Sequence, residues 1–144
     1  MSKLTLEVVT PEGIVFSDKV DFVSAETNVG EVGILPNHIP LFASLKMSVL
    51  SYKKDNNLDF ITVMEGFLDV NNNKVTILTE IAEMAKDIDE VRAKRSKEEA
   101  EAEMMKKAGK EAFEIAKRDA IKANVRLKAL EMLEKSGIYR KKQL

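Results

Sequence analysis

His38 is the only histidine in the chain, and cysteine is absent. One imidazole with no thiolate and no second histidine cannot assemble a zinc site, and disulfides are excluded. A hydrolytic triad around His38 needs a nucleophile and an orienting carboxylate that the sequence does not place beside it. His38 therefore reads as a loop histidine that hydrogen-bonds backbone or touches a partner. A small hydrolase is the alternative, and it predicts activity abolished by His38→Ala. Phosphate chemistry leaves no better trace. Gly109-Lys110 is followed by Glu111, and the position five before Gly109 is Met104. The Gly-x-x-x-x-Gly-Lys-Ser/Thr pattern fails, and no Gly-x-Gly-x-x-Gly occurs. The chain by itself is not expected to hydrolyse a nucleotide.

What remains is charge, and it is unevenly placed. Residues 1–86 carry seven lysines and no arginine against twelve carboxylates, a formal −5. Residues 87–144 carry sixteen basic groups against twelve acidic ones, a formal +4, and hold all five arginines. The second part suits an acidic protein surface or a phosphate, but it is too mixed with glutamate to read as a nucleic-acid stripe. Residues 1–10 lack an apolar signal core, and no uncharged apolar run approaches the ~20 residues that span a bilayer. These patterns predict a soluble, cytoplasmic protein.

The elements that must position these groups change character near Met84–Ile88. Before it, Leu4, Leu6 and Val8 alternate with Thr5, Glu7 and Val9, a half-buried strand. Thr10-Pro11-Glu12-Gly13 is a turn, and short strands are expected at Ile14–Phe16 and Val20–Ser24. Further strands fall at Met47–Tyr52, Leu58–Met64, Gly66–Val70 and Lys74–Leu78. Asp55-Asn56-Asn57 and Asn71-Asn72-Asn73 separate them as hairpin turns, because asparagine tolerates left-handed backbone. The pattern predicts an α+β chain: a two-sheet β-sandwich over 1–86, followed by a pair of helices, antiparallel or extended, over 87–144. Gly30 to Leu41, with two glycines, two prolines and apolar Val32, Ile34, Leu35, Ile39 and Leu41, breaks the alternation and reads as an apolar loop.

After the boundary there is no proline. A helix is expected from Ile88 to about Lys107, with Asp87 or Asp89 at its N-terminus. Gly109 is the hinge, and a second helix runs to about Lys135, where Ser136-Gly137 should end it before a frayed basic tail over Tyr139–Leu144. Phe113, Ala116, Ala120, Ala123, Leu127 and Leu130 form its apolar seam. Neither helix has a bulky seam, so closed and open hairpins should differ by only a few kcal/mol.

Three stretches together resemble the ε subunit of bacterial F-type ATP synthases. They are the Gly30–Leu41 segment, the strand start Glu65-Gly66-Phe67-Leu68-Asp69-Val70, and Val75-Thr76-Ile77-Leu78 followed by Ile88-Asp89-Glu90-Val91-Arg92-Ala93. In the second, Glu65 stands where the family pattern has glycine. The resemblance implies a non-catalytic rotor subunit whose sandwich clasps the γ subunit and rests on the c ring. Its helical arm would inhibit ATP hydrolysis in the α and β head. It implies a peripheral place on the cytoplasmic face of a bacterial membrane, with no insertion and no nucleic acid. Glu31 and His38 would lie toward the c ring, and Arg118, Lys122, Arg126 and Lys128 would meet acidic segments of the head.

No cofactor is required by this reading, but some relatives sense ATP through the Ile/Leu-Asp-x-x-Arg-Ala motif. The resemblance then implies a weakly held regulatory ATP at Glu83, Ile88, Asp89, Arg92, Ala93, Lys122 and Arg126. Folding the hairpin about residue 108 sets Arg92 opposite Asn124, with Lys122 and Arg126 half a turn either side. Glu99 and Ile115 stand where further cations would be expected. The competing reading is that Asp89 pairs with Arg126 and only holds the hairpin closed. A free-standing nucleotide- or ligand-binding sandwich with a helical tail is the remaining alternative.

Overall fold

The alternation at Leu4, Leu6 and Val8 buries all three side chains and makes them part of a strand that runs to Thr10. The structure is a computed structural model that describes residues 2–143, with side chains described as far as Gly137. Ten strands follow in order: β1 (Leu4–Thr10), β2 (Gly13–Val20), β3 (Phe22–Thr27), β4 (Gly30–Ile34), β5 (Leu41–Leu45), β6 (Ser48–Lys54), β7 (Asn57–Val63), β8 (Gly66–Asn71), β9 (Lys74–Thr79) and β10 (Ala82–Met84). The ladder runs β10-β7-β6-β3-β5-β8-β9-β1-β2, with β4 added on β3. The sheet folds over as a sandwich, so inward residues of distant strands, among them Leu6, Val23, Leu50, Ile61, Leu68 and Ile77, meet in one core.

Turn chemistry sets the register. Asp55 and Asn56 both have positive φ, as do Asn72 and Asn73, and each pair makes a two-residue hairpin joining β6 to β7 and β8 to β9. Gly66 has φ 139°, and a Cβ there would lie 1.9 Å from the Leu78 carbonyl oxygen. Only glycine lets β8 come that close to β9.

Two strand expectations are corrected. The Gly30–Leu41 segment is not one irregular loop: its first part is β4, paired antiparallel with β3, and Leu41 opens β5, paired with β8. The glycines at positions 30 and 33 fit an edge strand, and only the stretch between Ile34 and Leu41 is loop. β2 also outruns its expected length, because Ser17, Asp18 and Lys19 pair with Glu7, Leu6 and Thr5. At this edge Ser17 and Lys19 are exposed and Asp18 half-buried, so the strand carries polar residues without breaking its ladder.

A single 3-10 turn at Ala85–Asp87 leads to helix α1 (Glu90–Met105), and helix α2 spans Lys110–Gln143. Gly109 at φ 104° makes the reversal between them. α2 does not stop at Ser136-Gly137 as expected. Gly137 carries no positive φ and sits inside the helix, where glycine is tolerated at about 1 kcal/mol. Side chains beyond it, where the frayed basic tail was expected, lie outside the described ones.

The two helices close as a hairpin on an alanine seam: Ala93 and Ala100 of α1 are buried, as are Ala116, Ala120 and Ala123 of α2. Phe113 is 39% exposed, so it contributes less to this seam than its size suggests. A second face of α2, Val125 and Ala129 with Met132 and Leu133, packs on Val49, Phe60 and Met64 of the sheet and on Ala85 and Ile88. The arm is therefore docked on the sandwich through small and flexible side chains.

Candidate functional site

Where the sheet hands over to the hairpin, a cavity of about 300 Å³ is lined by Glu83, Asp87, Ile88, Asp89, Arg92, Ala93, Ser96 and Arg126. β10 supplies Glu83, the 3-10 turn and its exit supply Asp87, Ile88 and Asp89, the first turns of α1 supply Arg92, Ala93 and Ser96, and α2 supplies Arg126. Asp89 is the N-cap of α1, and its carboxylate accepts a hydrogen bond from the Arg92 N–H at 3.1 Å. That bond satisfies one of the free amides at the helix start. Ala93 is 3% exposed, and a larger side chain there would push the helices apart.

Arg126 Nε donates to Glu83 Oε1 at 2.6 Å, with the two side chains only 24% and 34% exposed. The expected Asp89–Arg126 pair is thus replaced. Asp89 is engaged as the cap, and Glu83 reaches Arg126 from the sheet. The site gathers six of the seven residues expected there. Lys122 is the exception: one turn toward the hairpin tip, it lines a neighbouring cavity of about 450 Å³ that shares Ser96 and Arg126. Glu99, Glu103 and Asp119 also line that second cavity, so it too sets three carboxylates against two cations.

The remaining expected residues do not form one surface. Arg118 turns back to the sheet, its Nη1 donating to Glu65 Oε1 at 2.9 Å. Lys128 is exposed. Glu31, on β4, accepts from the Ser24 hydroxyl at 2.7 Å. His38 lies beyond the far end of that strand, beside the Asn72–Asn73 turn, where the neighbouring Asn37 N–H bonds Asn73. Its Nδ1 donates to the Ile39 carbonyl and its N–H to the Leu35 carbonyl. Among the described residues its hydrogen bonds are to backbone alone, as a loop histidine would make.

One surface escaped the sequence reading. Ile14, Val9, Leu78 and Phe67 are successive neighbours across β2, β1, β9 and β8, and Phe42 of β5 stacks on Phe67 with ring centroids 5.5 Å apart. All point away from the core, and Phe42 and Ile14 are 67% and 62% exposed. This apolar stripe runs into an open groove of about 870 Å³ lined by Val9, Pro11, Met47, Met64, Glu65, Phe67 and Leu78, among others. An apolar patch of this size on a sheet face marks a contact surface.

A family model described as the ATP synthase delta/epsilon chain, beta-sandwich domain, matches residues 3–85. The chain is 45% identical over 103 residues to the ATP synthase epsilon chain of Lawsonia intracellularis, covering 72% of this chain and 77% of that one. It is 48% identical over 101 residues to that of Halalkalibacterium halodurans, covering 70% and 76%. The chain belongs to the ATP synthase delta/epsilon chain family. As a chain of that family it is a subunit of an ATP synthase.

Solved structures with the same fold include a chain of the Euglena gracilis mitochondrial ATP synthase, with a TM-score of 0.67 and 24% identity over 94% of this chain and 82% of that one. A chain of the Tetrahymena thermophila mitochondrial ATP synthase central stalk and c-ring gives 0.57 and 15% over 90% and 97%. In an epsilon-type chain the family model covers the sandwich, and the hairpin lies outside it. The outward apolar stripe had a visible signal: Val9 and Phe67 occupy the alternating positions where a solvated strand would carry polar residues. The Arg118–Glu65 and Arg126–Glu83 pairs had none, since each joins residues more than forty positions apart.

Proposed function

We infer that this epsilon-type chain couples the γ shaft to the c ring and restrains ATP hydrolysis with its helical arm, from the cytoplasmic face of a bacterial membrane. Residues 1–86 would act as the docking domain and 87–144 as the regulatory one. The apolar stripe of Ile14, Val9, Leu78, Phe67 and Phe42 suits the γ subunit, because a permanent partner would remove from water what an isolated sheet leaves exposed. β4 is an edge strand, so one surface laid along that edge would touch both Glu31 and His38, and we assign it to the c ring.

The observation that carries the regulatory reading is the docking of α2. It rests on one narrow apolar face and two partly exposed ion pairs, an attachment that partners can displace. Released, α2 would offer Arg118, Lys122, Arg126 and Lys128 to acidic segments of the α and β subunits. The test is a reconstituted synthase carrying Glu65→Cys and Arg118→Cys, bridged by a short thiol crosslinker; the chain has no cysteine of its own. Bridging should raise ATP hydrolysis relative to the unbridged complex. Hydrolysis unchanged by bridging and by removal of the arm would end the inhibitory reading.

A second, smaller reading has its own observation: Arg92, Arg126 and the start of α1 share one cavity. We assign it a weakly held regulatory ATP. The phosphates must displace Glu83 from Arg126, and Glu99, Glu103 and Asp119 repel them in the adjoining space, which keeps affinity low. Calorimetric titration of the full chain should show weak binding that Arg92→Gln removes, and no response at millimolar nucleotide would exclude it.

A further inference from the structure

Six described residues other than glycine hold positive φ: Asn37, Asp55, Asn56, Glu65, Asn72 and Asn73. Five of them are asparagine or aspartate, whose short polar side chains tolerate the left-handed region. Glu65, at φ 66° between β7 and β8, is the exception. Nothing in the turn itself uses its carboxylate. The Glu65 backbone carbonyl accepts from Thr79, while the carboxylate leaves the sheet and meets Arg118 on α2 at 2.9 Å. A backbone outlier that persists where glycine would relax it points to a role for the side chain.

The position on α2 gives that role content. The residues that seat α2 on the sheet, Val125, Ala129, Met132 and Leu133, all lie on the C-terminal side of Arg118, and Arg126 lies there too. Ala116 and Ala120 are buried on the seam that faces α1. Among the described residues, Glu65–Arg118 is therefore the polar tie that holds the tip-ward half of α2 to the sandwich. Glu65 also lines the open groove, so the tie sits where that groove meets the arm.

We propose that Glu65 and Arg118 form a clasp, in which a strained turn carries a carboxylate that fixes the resting position of the hairpin. The clasp concerns the arm's position on this chain and stands whether or not the released arm blocks hydrolysis. Both side chains are about half exposed, at 49% and 51%. A pair of this kind is modest and salt-sensitive, suited to biasing an equilibrium more than to locking it.

The full chain tests it directly, since introduced cysteines are unique. Spin labels at Glu12→Cys and Glu111→Cys, both exposed, report the distance between the sandwich and the start of α2. Glu65→Gln and Arg118→Gln should each raise the undocked population about two- to fivefold. Salt should do the same to the parent chain and move the variants less, since they keep only the Arg126–Glu83 pair to be screened. The exchanged pair Glu65→Arg with Arg118→Glu should recover docking.

Glu65→Gly separates the clasp from a purely structural turn residue. It should loosen the arm while making the sandwich more resistant to denaturant, because glycine relieves the positive φ. Where the undocked population is too small for the labels, amide hydrogen exchange over residues 116–124 reads the same ratios. Docking unaffected by both Glu65→Gln and Arg118→Gln at low salt overturns the proposal.

Discussion

Gly66 shows how far one absent side chain can matter. An added Cβ would sit 1.9 Å from the Leu78 carbonyl oxygen, so Gly66→Ala must push β8 away from β9 as well as hold a φ of 139°. Overpacking alone costs about 1–3 kcal/mol, and the strained φ adds to it. Gly66→Ala is expected to lower the unfolding free energy measured in urea by at least that much, whereas Gly13→Ala, with nothing near its added Cβ, should show the φ penalty alone. Equal losses for the two would mean the β8–β9 approach is softer than it looks.

Charge at the far end of the sandwich gives a pH dependence with a definite sign. Asp21 is held below the usual carboxylate range by the Asp55 N–H and then by Lys3, and Asp18 by Lys54 and then by the Lys19 N–H. A depressed folded pKa contributes stability that is present above the ordinary value of about 3.9 and lost as pH falls through the folded value. The acid limb of a stability profile should therefore steepen below about pH 4, and Asp21→Asn should flatten it. An unchanged limb in that variant would place the acid sensitivity elsewhere.

At the scale of elements, α2 shares its faces between α1 and the sheet, and the share on the sheet is small. Ala129 is fully buried there among Val49, Phe60 and Met64. Ala129→Asp would bury an unpaired charge at a cost of a few kcal/mol, more than the docking can absorb. The expected result is a detached α2 beside an intact sandwich: amide signals of β6 and β7 move, while those of β1 and β9 stay. Global unfolding would show that the arm is part of the sandwich's own stability. Asp89→Ala should cost about 1 kcal/mol through the lost cap, and fraying of the first turn of α1 by hydrogen exchange is the readout.

The strands with clean alternation and asparagine turns were legible in sequence because both signals are local. β4 was not, since Gly30 and Gly33 read as loop until β3 supplies a pairing partner. The helix running through Gly137 was hidden for the converse reason: a C-cap signal was present, but the chain continues in helical backbone. Six residues of the hairpin cavity cluster because Ile88 to Ala93 is one short segment and Glu83 precedes it closely. Lys122 fell outside, since facing residues across an alanine seam are set by helix rotation, which spacing alone cannot give.

Across the whole molecule, two apolar clusters carry unequal loads. The sandwich core draws on every strand, from Leu4 to Met84, while the second cluster joins Val49, Phe60, Met64 and Ala85 to Val125 and Ala129. A chain ending after Ile88 keeps the first cluster whole and uncovers the sheet side of the second. It should fold to the same sheet, since the buried ladder and its core do not involve α2. Its urea midpoint should fall, because Val49, Phe60 and Met64 return to water at about 25 cal/mol per Å² of apolar surface. It should also bind more of a hydrophobic dye than the full chain, whose outward stripe of Ile14, Leu78, Phe67 and Phe42 is common to both. Those two effects measure what the arm contributes while docked, and so the free energy a partner must supply to lift it. A truncated chain that cannot fold would mean that hairpin and sandwich form a single cooperative unit, and an arm so integrated could not move without unfolding its support.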